Sequence, residues 1–208
     1  MTPFEIRNEK LGASVVQALK KRHFDAYYVN TASEAKELAL SLIPEGDTVT
    51  WGGTMTAKEI GLIDAVKSGN YNCIDRAEAE DPGKAMREAF FADTYIMSAN
   101  AISEDGQLVN IDGNGNRVAA MIFGPKSVIV IAGINKIAKI AEDALTRART
   151  VAAPINAQRF DIVTGCKMGG RCTDCKSEQT VCVHMVTTRV SRPAGRIKVI
   201  LVGENLGY

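Results

Sequence analysis

The sequence has no surplus of either charge: its 208 residues carry 25 Lys and Arg against 24 Asp and Glu, a formal net charge of +1. A nucleic-acid binder usually shows a basic excess or stripe. Here the only basic triplet, Lys20-Lys21-Arg22, closes a helical pattern, where cations complement the helix dipole, so nucleic acid is not an expected partner. Long apolar runs are missing as well. The most apolar stretch, Val118 to Ile134, is cut by Gly124-Pro125-Lys126 into two pieces of strand length, too short for a membrane span. The opening residues Met1-Thr2-Pro3-Phe4-Glu5 contain no apolar core of a targeting signal. A cytoplasmic protein without membrane contact is expected.

What is present is ordinary globular material, 46% apolar and 24% charged, in a length that suits one domain. Helix and strand patterns alternate. Thr2-Pro3-Phe4-Glu5 and Thr31…Glu34 read as capping boxes that open two helices. Ala26 to Val29, Thr48 to Trp51, Tyr71 to Ile74, Thr94 to Met97 and Ser127 to Ala132 read as strands, the last apolar enough to be buried on both faces. Asp105-Gly106 between Ala101–Ser103 and Leu108–Ile111 predicts a hairpin. A helix carrying Ile137, Ile140, Ala144 and Ala148 is expected next, and two β-like runs, Val183–Val190 and Ile197–Val202, follow. The fold class is α/β with a largely parallel sheet. Residues 1–160 form its core. Residues 161–208, a cysteine-rich segment and the last strands, pack on the same domain.

Three segments could carry chemistry. In Trp51-Gly52-Gly53-Thr54-Met55-Thr56 a strand enters two glycines and then a helix, with Thr56 and Glu59 as its capping box. Gly52 and Gly53 admit a ligand close to the backbone, and Thr54, Thr56 and the free amides of a helix start favour an anion. A tight, well-capped turn is the alternative. From Asn100 to Arg117 polar groups alternate with apolar ones, so that Asn100, Glu104, Asp112, Asn116 and Arg117 could converge on a polar ligand, Arg117 gripping a carboxylate or phosphate. The Asp112-x-Asn114-x-Asn116 spacing begins like a calcium loop, but Arg117 and Phe123 occupy the places that need glycine and glutamate. In Gly133-Ile134-Asn135-Lys136, Asn135 reads as a helix N-cap and Lys136 stands where a helix dipole disfavours a cation, which hints at anion binding, a solvated surface lysine being the alternative.

Four of the five cysteines crowd into Cys166-x5-Cys172-x2-Cys175-x6-Cys182. Without a secretion signal this is not a disulfide framework. Four thiolates can enclose zinc or hold an iron–sulfur cluster, with Lys167, Arg171 and Lys176 at hand to offset the charge; the alternative is four reduced thiols in a loop. Cys73 reads as a core residue. His184 is a strand residue and the lesser candidate for a further ligand, and His23 ends a helix.

Gly52-Gly53-Thr54-x-Thr56…Glu59-Ile60-Gly61-Leu62, Asn100-Ala101-Ile102-Ser103-Glu104-Asp105-Gly106, Gly115-Asn116-Arg117-Val118, Gly124-Pro125-Lys126 and Gly133-x-Asn135-Lys136-Ile137 together resemble the LUD-domain family, the lactate-utilization proteins of the C-subunit type. The resemblance runs over residues 1 to 160. It implies membership of the superfamily of ribose-5-phosphate isomerases, glucosamine-phosphate deaminases and CoA transferases. It also implies a three-layer αβα fold with a Rossmann-like sheet, and a phosphate- or carboxylate-binding role for the Gly-Gly-Thr-x-Thr segment. The family's link is to oxidation of lactate to pyruvate in company with iron–sulfur subunits. The expectation is a protein that binds a small anionic ligand at Gly52–Thr56, with Asn100, Asp112, Asn116, Arg117, Asn135 and Lys136 assisting and the cysteines holding an iron–sulfur cluster or zinc. Two rivals stand beside it. One is an isomerase-like enzyme on a phosphorylated sugar, with Glu104 or Asp105 as base. The other is a non-catalytic subunit that docks on an iron–sulfur partner. Homo-oligomerisation is left open.

Overall fold

The computed structural model describes residues 1–208. The elements run α1 (Pro3–Lys21), β1 (Asp25–Val29), α2 (Ala32–Ser41), β2 (Thr48–Trp51), α3 (Met55–Glu59), α4 (Leu62–Ser68), β3 (Asn72–Ile74), α5 (Pro82–Glu88) and β4 (Thr94–Met97). They continue with β5 (Ala101–Ser103), β6 (Leu108–Asp112), α6 (Asn116–Phe123), β7 (Ser127–Gly133), β8 (Ile137–Ala138), α7 (Ala141–Arg147), α8 (Ala153–Ala157), α9 (Gly165–Gly169), β9 (His184–Thr188) and β10 (Ile197–Val202). Both expected capping boxes form, Thr2 with Glu5 and Thr31 with Glu34.

Six strands make a fully parallel sheet in the order β1-β10-β7-β4-β2-β3. Alternate residues of β7 feed opposite faces. Val128 and Val130 pack with Val15, Leu19 and Met121 of α1 and α6, while Ile129 and Ile131 pack with Ala35, Ala57 and Leu62 of α2 to α4. Period-two alternation in a strand covered on both sides thus yields three αβα layers. A second sheet, β8-β5-β6-β9, contains the expected hairpin, with Ala101 opposite Val109. Helix α7 covers it through Ala144, and Ala148 just beyond the helix joins it.

Two expectations need correction. Cys73 is exposed, because β3 is the edge strand of the main sheet. The helix expected from Ile137 starts only at Ala141, since Ile137 and Ala138 pair with Ile102 and Ser103 as a strand. Ile197–Val202 forms a strand as expected and lies between β1 and β7 in the main sheet. No helix is long and apolar enough to cross a membrane.

Candidate functional site

In a parallel sheet all carboxyl ends face one way, and ligands sit there. Register sets Trp51 beside Ile96 and Met97 beside Val130, and β7 runs on to Gly133. The segments that follow β2, β4 and β7 therefore meet above neighbouring strands. Between them and the Asp112–Arg117 turn opens a cleft of about 400 Å³. Gly53, Thr54, Thr56, Asn100, Asp112, Asn116, Arg117 and Lys136 line it, as do Arg76, Ser98, Arg159 and Tyr208.

The two threonines divide their work differently from the sequence expectation. Thr54, not Thr56, caps α3: its hydroxyl accepts the Ala57 amide at 3.2 Å. Thr56 is the second residue of α3 and is fully buried, and its hydroxyl serves the cleft. It accepts a hydrogen bond from Lys136 Nζ at 3.0 Å, and Ser98 Oγ accepts another at 3.0 Å. Lys136 is only 2% exposed and forms no ion pair. Burial, with Arg147 and Arg117 nearby, pushes its pKa down to about 7. Glu59, freed from capping, accepts the Gly207 amide at 2.6 Å.

Arg117 is held in place by its Nη2, which donates to Asn100 Oδ1 at 2.9 Å and to the Ile111 carbonyl at 2.6 Å. Its buried Nε has no partner. Gly52 does not line the cleft. It makes room for this arginine, since a Cβ there would stand 2.8 Å from the Tyr95 hydroxyl and 2.9 Å from Arg117 Cγ. Asp112 caps α6 by accepting the amides of Arg117 and Val118 at 2.9 and 3.0 Å. Arg147 donates to the carbonyls of Asn135 and Asn100, tying the β7 and β4 ends together.

Besides Gly52, two expected site residues stand outside the cleft. Asn135 is not an N-cap: it clips the C-terminal tail, accepting the Leu206 amide at 3.1 Å and donating to the Gly207 carbonyl at 3.3 Å. Glu104 pairs with Lys139 at 2.5 Å and does not line the cleft. The neighbouring acid is committed as well: Asp105 accepts from Ser103, Gln107 and Arg22. An isomerase-type mechanism is thereby left without its expected base. Arg76, Ser98, Arg147 and Arg159 escaped the sequence reading. Ser98 alone carried a signal, since it follows a strand at the end where parallel sheets bind ligands.

Cys166, Cys172, Cys175 and Cys182 line a second cavity of about 140 Å³, together with Arg149, Asp174, Lys176 and Thr180. Burial, and then the other three thiols, push the Cys182 thiol up to about 11. In this arrangement no three His, Cys, Asp or Glu side chains are close enough to share one metal ion. His184 is exposed on β9, and its ring packs over Gly115.

A family model, the LUD domain, matches residues 13–202, a span that takes in the cysteine segment. The crystal structure of a DUF162 family protein from Deinococcus radiodurans is similar, with a TM-score of 0.55 and 12% identity over 94% of this chain and 98% of that one. Ribose 5-phosphate isomerase A from Methanocaldococcus jannaschii is similar over 53% of this chain and 54% of its own, at 17% identity and a TM-score of 0.36. eIF2B delta from Chaetomium thermophilum covers 55% of this chain and 50% of its own, at 19% identity and a TM-score of 0.38. No curated protein matches.

Proposed function

The chain belongs to the LUD-domain family, and on that premise we propose that its cleft binds a small organic acid of the lactate–pyruvate kind, as a lactate-utilization protein acting in the oxidation of lactate to pyruvate. One observation carries the reading. Lys136 is a buried amine with two hydroxyls for partners and no carboxylate, flanked by Arg117 and Arg147. Glu59 acts on Lys136 but accepts the Gly207 amide, so this desolvated cation cluster has no ion-paired anion, a place that a bound carboxylate would fill. The carboxylate would face Lys136 and Thr56, with the unpartnered Arg117 Nε as a further donor.

Calorimetric titration with L-lactate, pyruvate, ribose 5-phosphate and inorganic phosphate tests it. Binding of lactate or pyruvate that Lys136→Met removes supports the organic-acid reading. Tight binding of ribose 5-phosphate with no response to lactate or pyruvate would replace it with the sugar-phosphate reading.

A further inference from the structure

The cysteine segment lends Glu178, Gln179, Thr180 and Val181 to the wall of the anion cleft, and its four thiols line a second cavity. α9 is capped by Thr164, which accepts the Lys167 amide at 3.2 Å, and it presents the buried Cys166. The turn at Asp174, with φ of 50°, brings Cys172 and Cys175 back to the same cavity, and Cys182 enters it just before β9. Four sulfurs from four points of a loop-rich segment thus face one space.

A single zinc ion requires all four sulfurs about 2.3 Å from one point. As they stand, no three of these side chains form a group that could hold one metal ion, and the cavity that all four line measures about 140 Å³. A polynuclear centre supplies its own bulk, because its metal and sulfide atoms span the gap and each thiolate meets a different corner. Arg149 and Lys176 at the rim, shared with a single Asp174, leave a positive balance against thiolate charge. We propose that Cys166, Cys172, Cys175 and Cys182 hold an iron–sulfur cluster in the cavity they line. Assembly replaces each thiol S–H bond by an S–Fe bond and releases the proton to solvent, while iron and sulfide come from outside the chain. The proposal is independent of what the anion cleft binds.

The test is anaerobic reconstitution of the full chain with ferrous iron, sulfide and a thiol reductant, followed by iron and acid-labile sulfide analysis and absorption spectra. The expected result is iron and sulfide in matched stoichiometric amounts and a brown absorption that dithionite bleaches. Cys73→Ser should retain all of it, whereas Cys172→Ser and Cys175→Ser should drop to background iron with unchanged far-ultraviolet circular dichroism. Failure of the wild-type chain to retain iron and sulfide overturns the proposal. So does a colourless centre holding one zinc per chain in preference to iron, and so does equal loading of a correctly folded Cys172→Ser variant.

Discussion

Lys136 Nζ and Thr56 Oγ1, 80 positions apart in sequence, meet at 3.0 Å inside the protein with no carboxylate in ion-pairing range. A buried amine satisfied by hydroxyls alone is a standing cost to the fold, and the first predictions concern that cost.

Lys136→Met should raise stability near neutrality and abolish anion binding. In the folded chain the amine titrates at about 7, against an ordinary value of 10.5. Below 7 both states hold the proton and the full burial cost stands. Between 7 and 10.5 the unfolded chain binds the proton more than the folded chain does, so stability rises with pH across that window, by on the order of a few kcal/mol. Urea unfolding at several pH values should show this rise in the wild type and its absence in Lys136→Met.

Anion affinity should fall as pH climbs above about 7, approaching tenfold per pH unit, because the ammonium form is the one an anion prefers. Binding at pH 8 should take up protons, readable as a dependence of the apparent enthalpy on the buffer's own ionisation enthalpy. Equal affinities at pH 6 and pH 8.5 would show that Lys136 does not hold the anion.

The two threonines should separate cleanly. Thr54→Ala removes a helix cap and should cost about 1 kcal/mol of stability, with ligand affinity within about threefold. Thr56→Val removes the acceptor of Lys136 and should weaken binding by roughly an order of magnitude, ~1.4 kcal/mol. Paired unfolding and titration experiments distinguish the effects.

Gly52→Ala should weaken anion binding without touching it. Its Cβ would meet the Tyr95 hydroxyl and Arg117 Cγ, and such overpacking costs about 1–3 kcal/mol. Arg117 is the softer neighbour, so the shift should appear as lost affinity as well as a lowered melting temperature.

Arg196 gives a control remote from both sites. Its guanidinium donates to the carbonyls of Pro125, Met121 and Ala120, closing the end of α6. Arg196→Met should cost about 1.5–3 kcal/mol in urea unfolding and leave ligand affinity unchanged.

The layered α/β fold was legible because its signals are local: alternating periods, capping boxes and an Asp-Gly turn. The Gly52–Thr56 loop was legible for the same reason. Which threonine caps was not, because Thr54 and Thr56 both precede the helical pattern and only burial decides between them. Lys136 stood out as a misplaced cation beside an expected helix start, yet the residue sits in a short 3-10 turn, and what sets it apart is burial between strand ends. Arg147 and Arg159 were hidden because they reach partners on distant segments, and a lone sequence does not show which distant residues share one end of a sheet. Asn135 and Glu104 looked like site residues because they flank the right motifs; one clips the tail and the other pairs with Lys139.

The place of β10 has a temporal consequence. Its neighbours on either side are β1, made first, and β7, made much later. Until residues 197–202 have left the ribosome, β1 with α1 has no strand to join, and the apolar edge of β7 is open to any other extended chain. Closure is therefore long-range and late. A nascent or truncated chain that stops before Ile197 should be a ward of chaperones rather than a partly working protein.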